Sequence, residues 1–449
     1  MEKDQKYPLI ALRQCAARLV AAAVCRLFPK SQIIKGEATD SGFFYDFVLD
    51  TPITPDVFPM IEEHLRVLMT EDTSLRSHTM MRENAQELFE HHNQPRKSEF
   101  LPQEQLVDIL QIGDFYDECP EPHPESLKIF GAIELLDVKN IFISDDLEVT
   151  RIVGTVFHDK NELKKFLKSH KQIKDHQEIC REKGFFHKID DVSDGEWFID
   201  SRGIQLIEAF KALWRGYCRE EGVQEISSPG LQDRYFLEHF GQQSSSDWAL
   251  PGTLAPAHFE YMVKTKPKGV FRVGEFCRLY QSVQEHLLVG LLRTRGYWID
   301  QEHIFCQEPQ VLEELISSLH FIKKSNKMLS IEGEWVLNSF GRVPKKSLRE
   351  WERSHELLIE AFEKSKMSSE SLKEGGDGNM ENVTFTGPRL EYHFIDGLGR
   401  RWRGPYLGIW TTTPKKQNLW MIERSIFGSV ERVLALLLEK GPLPSWLKK

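Results

Sequence analysis

The sequence is poor in cysteine and has no closely spaced cysteine pair. Its 449 residues include seven cysteines, an odd number, and none lies in a C-x-x-C pattern. A disulfide framework or a zinc ribbon depends on such spacing, so the sequence argues against both. We therefore expect reduced thiols.

Long apolar runs and excess positive charge are also lacking. No stretch approaches the roughly 20 apolar residues that cross a bilayer, and the first residues, MEKDQKYPLI, form no signal-peptide pattern. We expect a cytoplasmic protein without membrane association. The formal net charge of -10 argues against broad nonspecific binding of nucleic acid, which needs basic side chains to neutralise phosphates. The candidates for a local basic patch, Lys264, Lys266 and Lys268, are better explained as a solvated loop.

The composition that remains is ordinary globular material, 40% hydrophobic and 28% charged, and it is long enough for two or three domains. The chain divides near residue 175, and a charged helical stretch over 160–182 leads into the second part. Segment 365–380, SKMSSESLKEGGDGNM, is polar and rich in Gly and Ser, which is typical of a mobile loop. The elements predicted before the division are helices near 9–27, 56–71 and 103–110, and strands near 42–47 and 140–157.

The run 421–438, MIERSIFGSVERVLALLL, is the most informative part of the sequence. Its small residues let backbone approach closely, and its apolar positions follow a helical period that leaves Arg432 projecting from the first turns. The pattern suits a phosphate clamp. The small residues are Ser425, Gly428 and Ser429, and the apolar positions are Val430, Val433, Leu434 and Leu437.

This run resembles the third signature motif of class II aminoacyl-tRNA synthetases, and threonyl-tRNA synthetases in particular, where it reads roughly M-I-H-R-A-I-F-G-S-x-E-R. The resemblance implies that Arg432 binds the phosphates of ATP, with Mg²⁺ as the accompanying cation. In that family the histidine is one of three zinc ligands that read the substrate amino acid. Here its position holds Glu423.

The two other zinc positions lie in motifs of the same family. Segment 252–258, GTLAPAH, resembles P-M-N-C-P-G-H, and the ligand cysteine has become Ala255. Segment 298–306, WIDQEHIFC, resembles F-T-Q-D-D-A-H-I-F-C and retains His303 as a remnant of the metal site. A catalytic zinc takes three protein ligands. We therefore expect no zinc, and a hydrogen-bonded core position for His303.

The resemblance also implies changes at the ATP and amino-acid sites. By spacing ahead of Arg293, the second class II motif places Gln281 where an arginine would contact the α-phosphate, although a register shift would offer Arg278 instead. Arg293 itself remains as an ATP-binding candidate. In the amino-acid pocket, Ile299 and Gln301 replace a glutamine and an aspartate of the family. Both glutamines of W-Q-C-G-T-x-Q-L-D are absent from 402–410, WRGPYLGIW.

The first part resembles the editing domain of threonyl-tRNA synthetases, which hydrolyses mischarged seryl-tRNA. The matching segments are 42–47, GFFYDF, 113–123, GDFYDECPEPH, and 151–155, RIVGT. The resemblance implies Lys97, Asp117, Cys119 and His123 as candidate catalytic residues. However, Gln14 and Arg18 stand where the family has the two histidines of H-x-x-x-H, so half of the constellation is missing.

A helix over 203–222 and a strand over 223–229 resemble the first class II motif, which implies a homodimer. The sequence starts at the editing-like domain and stops after the third motif. We therefore expect tRNA binding to be weakened by the lack of an anticodon-binding domain.

The sequence thus predicts an α+β protein with two domains. Residues 1–175 form an editing-like domain of the threonyl/alanyl-tRNA synthetase type, and residues 176–449 a class II catalytic-like domain, built on an antiparallel sheet with flanking helices. The predicted function is that of a degenerate paralogue, a pseudoenzyme kept for binding or regulation. Two alternatives remain open: an active ATP-dependent threonine–tRNA ligase or related aminoacyl ligase of altered specificity, and an aminoacyl-tRNA deacylase acting through the first domain.

Overall fold

The structure is a computed structural model in which the chain forms two compact units, Met1–Lys171 and Gln172–Lys449. It describes residues 7–70, 75–120, 123–124, 126–144, 147–173, 175–189, 191–238, 246–338, 348–367, 372–374, 387–411 and 419–447. Most of the low-complexity segment 365–380 lies outside these residues. Among the helices within them, none combines the length and apolar character that a bilayer crossing needs.

The first unit contains two antiparallel sheets and one central helix, α1, whose Ala-rich sequence lets it pack closely against the strands. Its helices are α1 (Leu9–Leu27), α2 (Phe58–Thr70), α3 (Arg82–His91), α4 (Pro95–Glu99) and α5 (Lys160–Gln172). Its strands are β1 (Gln32–Ala38), β2 (Phe43–Val48), β3 (Arg76–Met81), β4 (Leu106–Ile112), β5 (Phe115–Glu118), β6 (Ala132–Ser144) and β7 (Leu147–Phe157).

The strand order is β1-β2-β7-β6 in one sheet and β3-β4-β5 in the other. Two of the sequence motifs meet in the first of these sheets, where Asp46 of β2 lies opposite Arg151 of β7. The guanidinium of Arg151 donates to both carboxylate oxygens of Asp46, at 2.7 and 2.8 Å. This bidentate pair fixes the register of the central strands.

The second unit is built on one sheet of eight strands in the order β10-β13-β14-β19-β18-β17-β15-β16, antiparallel except for the two outermost pairings. Its helices are α6 (His176–Lys183), α7 (Ser201–Glu221), α8 (Arg234–Glu238), α9 (Ala255–Thr265), α10 (Glu308–Leu329), α11 (Leu348–Lys364) and α12 (Val430–Lys440). Its strands are β8 (Phe186–His187), β9 (Phe198–Ile199), β10 (Gln224–Glu225), β11 (Gln232–Asp233), β12 (Trp248–Ala249), β13 (Phe271–Tyr280), β14 (Gly296–Cys306), β15 (Gly333–Asn338), β16 (Leu372–Glu374), β17 (Arg389–Ile395), β18 (Arg401–Trp410) and β19 (Trp420–Ser425).

The two faces of the large sheet have different partners because side chains alternate along a strand. On β14, Glu302 faces α7 and α10, where it accepts a hydrogen bond from the indole of Trp214 (3.0 Å) and pairs with Arg424 (2.5 Å). Its neighbours Gln301 and His303 face the other way. One face therefore closes the main core, and the other is lined with polar side chains.

Three predicted elements differ from the structure. Segment 103–110 was predicted to be helical, but β4 runs through it because Val107 and Ile109 are buried between β3 and β5. Tertiary pairing outweighs a short apolar run that fits either period. The helical stretch 160–182 is two helices, and the strand over 223–229 is reduced to the two residues of β10.

Candidate functional site

The polar face of the large sheet is centred on Glu423, a buried carboxylate with 1% exposure. Its Oε1 accepts hydrogen bonds from the amide of Gln301 (2.7 Å) and the hydroxyl of Tyr406 (2.8 Å). Its Oε2 accepts from the indole of Trp410 (2.6 Å) and the guanidinium of Arg389 (2.8 Å). Four donors from three neighbouring strands thus occupy both oxygens.

Two partners of Glu423 in this cluster have shifted pKa values. Burial lowers the pKa of Arg389, but Glu423, Tyr406 and Glu391 together outweigh burial and raise it. Burial and then Glu423 raise the pKa of Tyr406 well above its usual value, so Tyr406 remains a donor. The result is a neutralised, fully hydrogen-bonded ion pair in the interior.

Gln301 joins the cluster to the loop that precedes α9. Its carbonyl oxygen accepts from the backbone N–H of Leu254 (2.6 Å) and the hydroxyl of Thr253 (3.2 Å). Its amide nitrogen donates to Tyr406 (3.0 Å) as well as to Glu423. The side chain therefore uses both of its ends within the protein.

The residues at the three predicted zinc positions do not fit the metal. Ala255 has no side-chain atom that can bind a metal, and four protein donors already engage the oxygens of Glu423. His303 instead faces His258, with 2.8 Å between their Nδ1 atoms, and both rings are fully buried. Burial, followed by the nearby His258 and Arg389, lowers the pKa of His303 well below 6.5, so the ring is neutral. Across the described residues, no group of three His, Cys, Asp or Glu side chains is arranged to hold a metal ion.

A pocket lies beside this cluster, and both Tyr406 of the cluster and Ile299 line it. It contains one of the two predicted ATP-binding arginines, Arg432, and the predicted α-phosphate position, Gln281. Its other lining residues are Thr294, Tyr297, Arg403, Gly404, Gly428 and Ser429.

The arginines that the sequence assigned to ATP have structural contacts of their own. Arg432 donates to the backbone carbonyls of Leu292 (2.7 Å) and Arg403. Arg293 donates to the carbonyl of Leu287 (3.0 Å) and does not line the pocket. Both guanidinium groups lie over the ring of Trp402, at 5.2 Å for Arg293 and 5.7 Å for Arg432.

The side chain of Gln281 points into the protein, since its amide donates to the carbonyl of Thr294 at 2.9 Å. Arg278, the alternative by register, pairs with Glu196 at 2.9 Å and does not line the pocket.

In the first unit, the structure brings Lys97 and Asp117 together, with 2.7 Å between the ammonium and Oδ1. Oδ2 of Asp117 accepts from the hydroxyl of Tyr45 at 2.7 Å and lies 3.4 Å from Nε of Arg18. Arg18 also donates to the side-chain oxygen of Gln14 at 2.6 Å. The residues that replace the family's histidines therefore belong to a closed charge network around Asp117.

Cys119 and His123 have other surroundings. Cys119 is buried beside Cys15, and a hydrogen bond between the thiols, followed by burial, raises the pKa of Cys15. Both ring nitrogens of His123 are buried, and no partner for them exists among the residues that the structure describes. Within those residues, no hydrogen bond or ion pair joins His123 to Asp117 or Lys97.

Comparison with known proteins identifies similar proteins of one kind. A scan of protein-family models finds no match. The threonine–tRNA ligase of Hahella chejuensis is 28% identical over 476 residues, covering 97% of this chain and 73% of the ligase. That of Polaromonas naphthalenivorans is 27% identical over the same shares of both chains. The chain is thus similar to threonine–tRNA ligases over almost its whole length.

Solved structures share the fold of this chain over 61% of its length. The RNA-binding domain of threonyl-tRNA synthetase from Cryptosporidium parvum aligns with a TM-score of 0.54 and 22% identity, covering 61% of this chain and 74% of that one. A structure solved as a threonyl-tRNA synthetase of Aeropyrum pernix aligns with a TM-score of 0.51 and 18% identity, covering 61% and 71%. The predicted mixed α and β fold with antiparallel sheets is confirmed.

Sequence reasoning missed the partners of the replaced zinc position. Three of these partners lie on strands that are not adjacent to Glu423 in sequence: Arg389 on β17, and Tyr406 and Trp410 on β18. A carboxylate predicted at the centre of a buried strand already requires nearby donors. That requirement was the available signal, and it could have directed attention to the cationic and aromatic positions of the adjacent strands.

Proposed function

We propose that this protein is a class II synthetase-like nucleotide-binding protein that does not perform zinc-dependent activation of threonine, and whose role is binding or regulation through the retained fold. The observation that carries the proposal is the cluster around Glu423. In the family, a metal at this place reads the amino acid. Here a carboxylate with four protein donors takes that place.

A substrate amino acid would have to break this cluster. Removing one partner of a buried ion pair commonly costs about 3–5 kcal/mol, because the other charge is left uncompensated. Glu423 and Arg389 are such a pair. The cluster therefore disfavours entry of a ligand at this point of the sheet.

The ATP side supports binding without chemistry. The pocket beside the cluster retains Arg432 in its wall, and Arg293 supports that wall through Trp402. Gln281 carries no charge and is turned to Thr294. Loss of one transition-state contact of this kind commonly costs about 2.7–4 kcal/mol, or two to three decades in rate. ATP with Mg²⁺ is the proposed ligand.

The first unit supports a binding role in the same way. All the carboxylate oxygens of Asp117 are engaged by protein groups, so hydrolysis of aminoacyl-tRNA is the less favoured alternative. The proposed assembly is a homodimer in the cytoplasm, formed through α7 and β10, and tRNA is a possible partner class because the homologues are tRNA ligases.

Amino-acid-dependent ATP–pyrophosphate exchange tests the proposal directly. The protein is assayed with each of the twenty amino acids, with and without zinc, beside the Hahella chejuensis ligase as a positive control, and ATP binding is measured separately. We expect ATP binding and no threonine-dependent exchange. Robust exchange with threonine would instead establish a working ligase, exchange with another acid would establish altered specificity, and absence of ATP binding would leave a purely structural role.

A further inference from the structure

Arg403 lines the pocket from β18 and has few contacts of its own. It lies opposite His393 of β17, and 32% of its side chain is exposed. Among the described residues, its guanidinium makes no hydrogen bond, and its ion pair is a long one, 3.9 Å from Nη1 to Oε1 of Glu391. Most of its five N–H donors are therefore available to a ligand.

Arg432, the arginine expected from the sequence to bind phosphate, is held more tightly. Its Nε and Nη1 donate to the carbonyls of Leu292 and Arg403, which tie α12 to the loop before β14 and to β18. If the guanidinium of Arg432 moved to a ligand, these two carbonyls would lose their hydrogen bonds in a half-buried environment. Arg432 therefore acts first as a brace of the pocket.

Both arginines lie close to the same wall. Burial raises the pKa of Tyr297, and the positive charges of Arg403 and Arg432 act in the opposite direction. Gln281 on that wall contributes no charge, and its amide is already engaged by Thr294. Arg403 therefore carries the positive charge of the pocket that is available to a ligand.

We infer that Arg403 is the phosphate-binding residue of this pocket, where it forms a bidentate pair with a phosphate group of the bound nucleotide. The inference rests on the proposed ATP binding and names the residue that carries it. A planar guanidinium with parallel donors matches phosphate oxygens better than any other side chain.

The surroundings fit a nucleotide in two further respects. Tyr297, Ile299 and Tyr406 give the pocket an apolar and aromatic wall, as small-molecule sites commonly have. When Arg403 turns to a phosphate, Glu391 is not left alone, because it retains the ring of His393 at 2.8 Å. The buried carboxylate of Glu391 therefore keeps a partner when Arg403 moves away.

The test compares Arg403→Gln with Arg401→Gln, which removes the same charge two residues earlier on the same strand. Arg401 is a solvent-exposed residue that pairs with Glu334 (2.6 Å) and does not line the pocket. Binding of ATP, AMP and adenosine is measured by calorimetry. We expect Arg403→Gln to weaken ATP and AMP by about tenfold or more while adenosine, which has no phosphate, binds as before. Arg401→Gln should change all three by less than about twofold.

A second variant separates ligand binding from structural support. Arg403→Lys keeps the charge but loses the planar fork, so ATP and AMP should weaken by several-fold and adenosine should not change. Equal loss for all three ligands, in either variant, would indicate a structural role and overturn the inference. If the wild type binds ATP and Arg403→Gln binds it equally well, the inference is overturned but the proposed function is not. Failure of the wild type to bind ATP would overturn both the inference and the proposed function.

Discussion

Glu423 lies directly opposite His303 in the antiparallel pair of β19 and β14, yet the two side chains serve different partners. The carboxylate takes donors from Gln301, Tyr406, Trp410 and Arg389, whereas the imidazole faces His258. Two positions that could share one metal ion thus belong to two separate hydrogen-bonded groups.

The first prediction is that purified protein contains no stoichiometric zinc. Ala255 offers no ligand, and the oxygens of Glu423 are in use. Elemental analysis measures the metal content of wild type and His303→Ala after purification without chelator. One zinc per chain in the wild type, lost in His303→Ala, would contradict the prediction.

The second prediction concerns stability. Glu423→Gln removes the negative charge facing Arg389 and places an amide donor among donors, so we expect a loss of about 3–5 kcal/mol in the free energy of unfolding. Urea denaturation measures it. The matched control is Glu360→Gln, whose carboxylate pairs with Lys364 on an exposed helix face, where solvent screens such pairs and the loss should be small. Equal effects of the two substitutions would show that the buried pair is not a stabilising unit.

The third prediction is a pH dependence from Glu431. Burial raises the pKa of this carboxyl to about 7, against hydrogen bonds that include the backbone N–H of Trp298. Between about pH 4.5 and 7, the carboxyl group of Glu431 is therefore protonated in the folded state and ionised in the unfolded state, where its pKa is near 4.5. The contribution of Glu431 to the free energy of unfolding is complete below about pH 4.5 and falls as the pH rises to about 7.

The measurement is the free energy of unfolding of wild type and Glu431→Gln between pH 4.5 and 8. Because the neutral amide does not titrate, the stability of Glu431→Gln relative to wild type should increase with pH over that window. Asp300, whose pKa burial raises to about 8, is present in both proteins and cancels in the difference. A difference that is constant with pH would show that Glu431 is ionised throughout.

The fourth prediction is a dimer whose interface lies in the second unit. Ile204 is a large apolar residue of α7, and 52% of it is exposed. Ile204→Asp should shift the protein towards monomer in sedimentation at micromolar concentration, since a charge in an apolar interface is costly. Phe142→Asp, at an exposed apolar residue of the first unit, is the control and should leave the dimer intact. A monomeric wild type would refute the expectation.

The sequence predicted the helices that have long, regular apolar patterns. Helix α1 has the bounds expected for it, and α7 differs from its expected range by two residues at the start and one at the end. Segment 103–110 failed because its few apolar residues suit either a helix or a strand, and only contact with β3 and β5 decides between them.

The candidate site was predictable in part for a related reason. Motif comparison found the substitutions at Ala255, Gln281 and Glu423, because each departs from a pattern along the chain. It could not find that Arg389 neutralises Glu423, or that Arg403 has few contacts, because those facts depend on strands brought together by the sheet.

Because side chains alternate along β14, the two faces of the sheet can change independently of each other. Ile299, which lines the pocket, and Gln301, which contacts Glu423, face away from Glu302, which holds Trp214 and Arg424 in the core on the reverse side. Substitutions at Tyr297 and Ile299 should therefore alter ligand binding, whereas substitution of Glu302 should reduce the yield of folded protein. Such a sheet can change its chemistry and still persist as a scaffold.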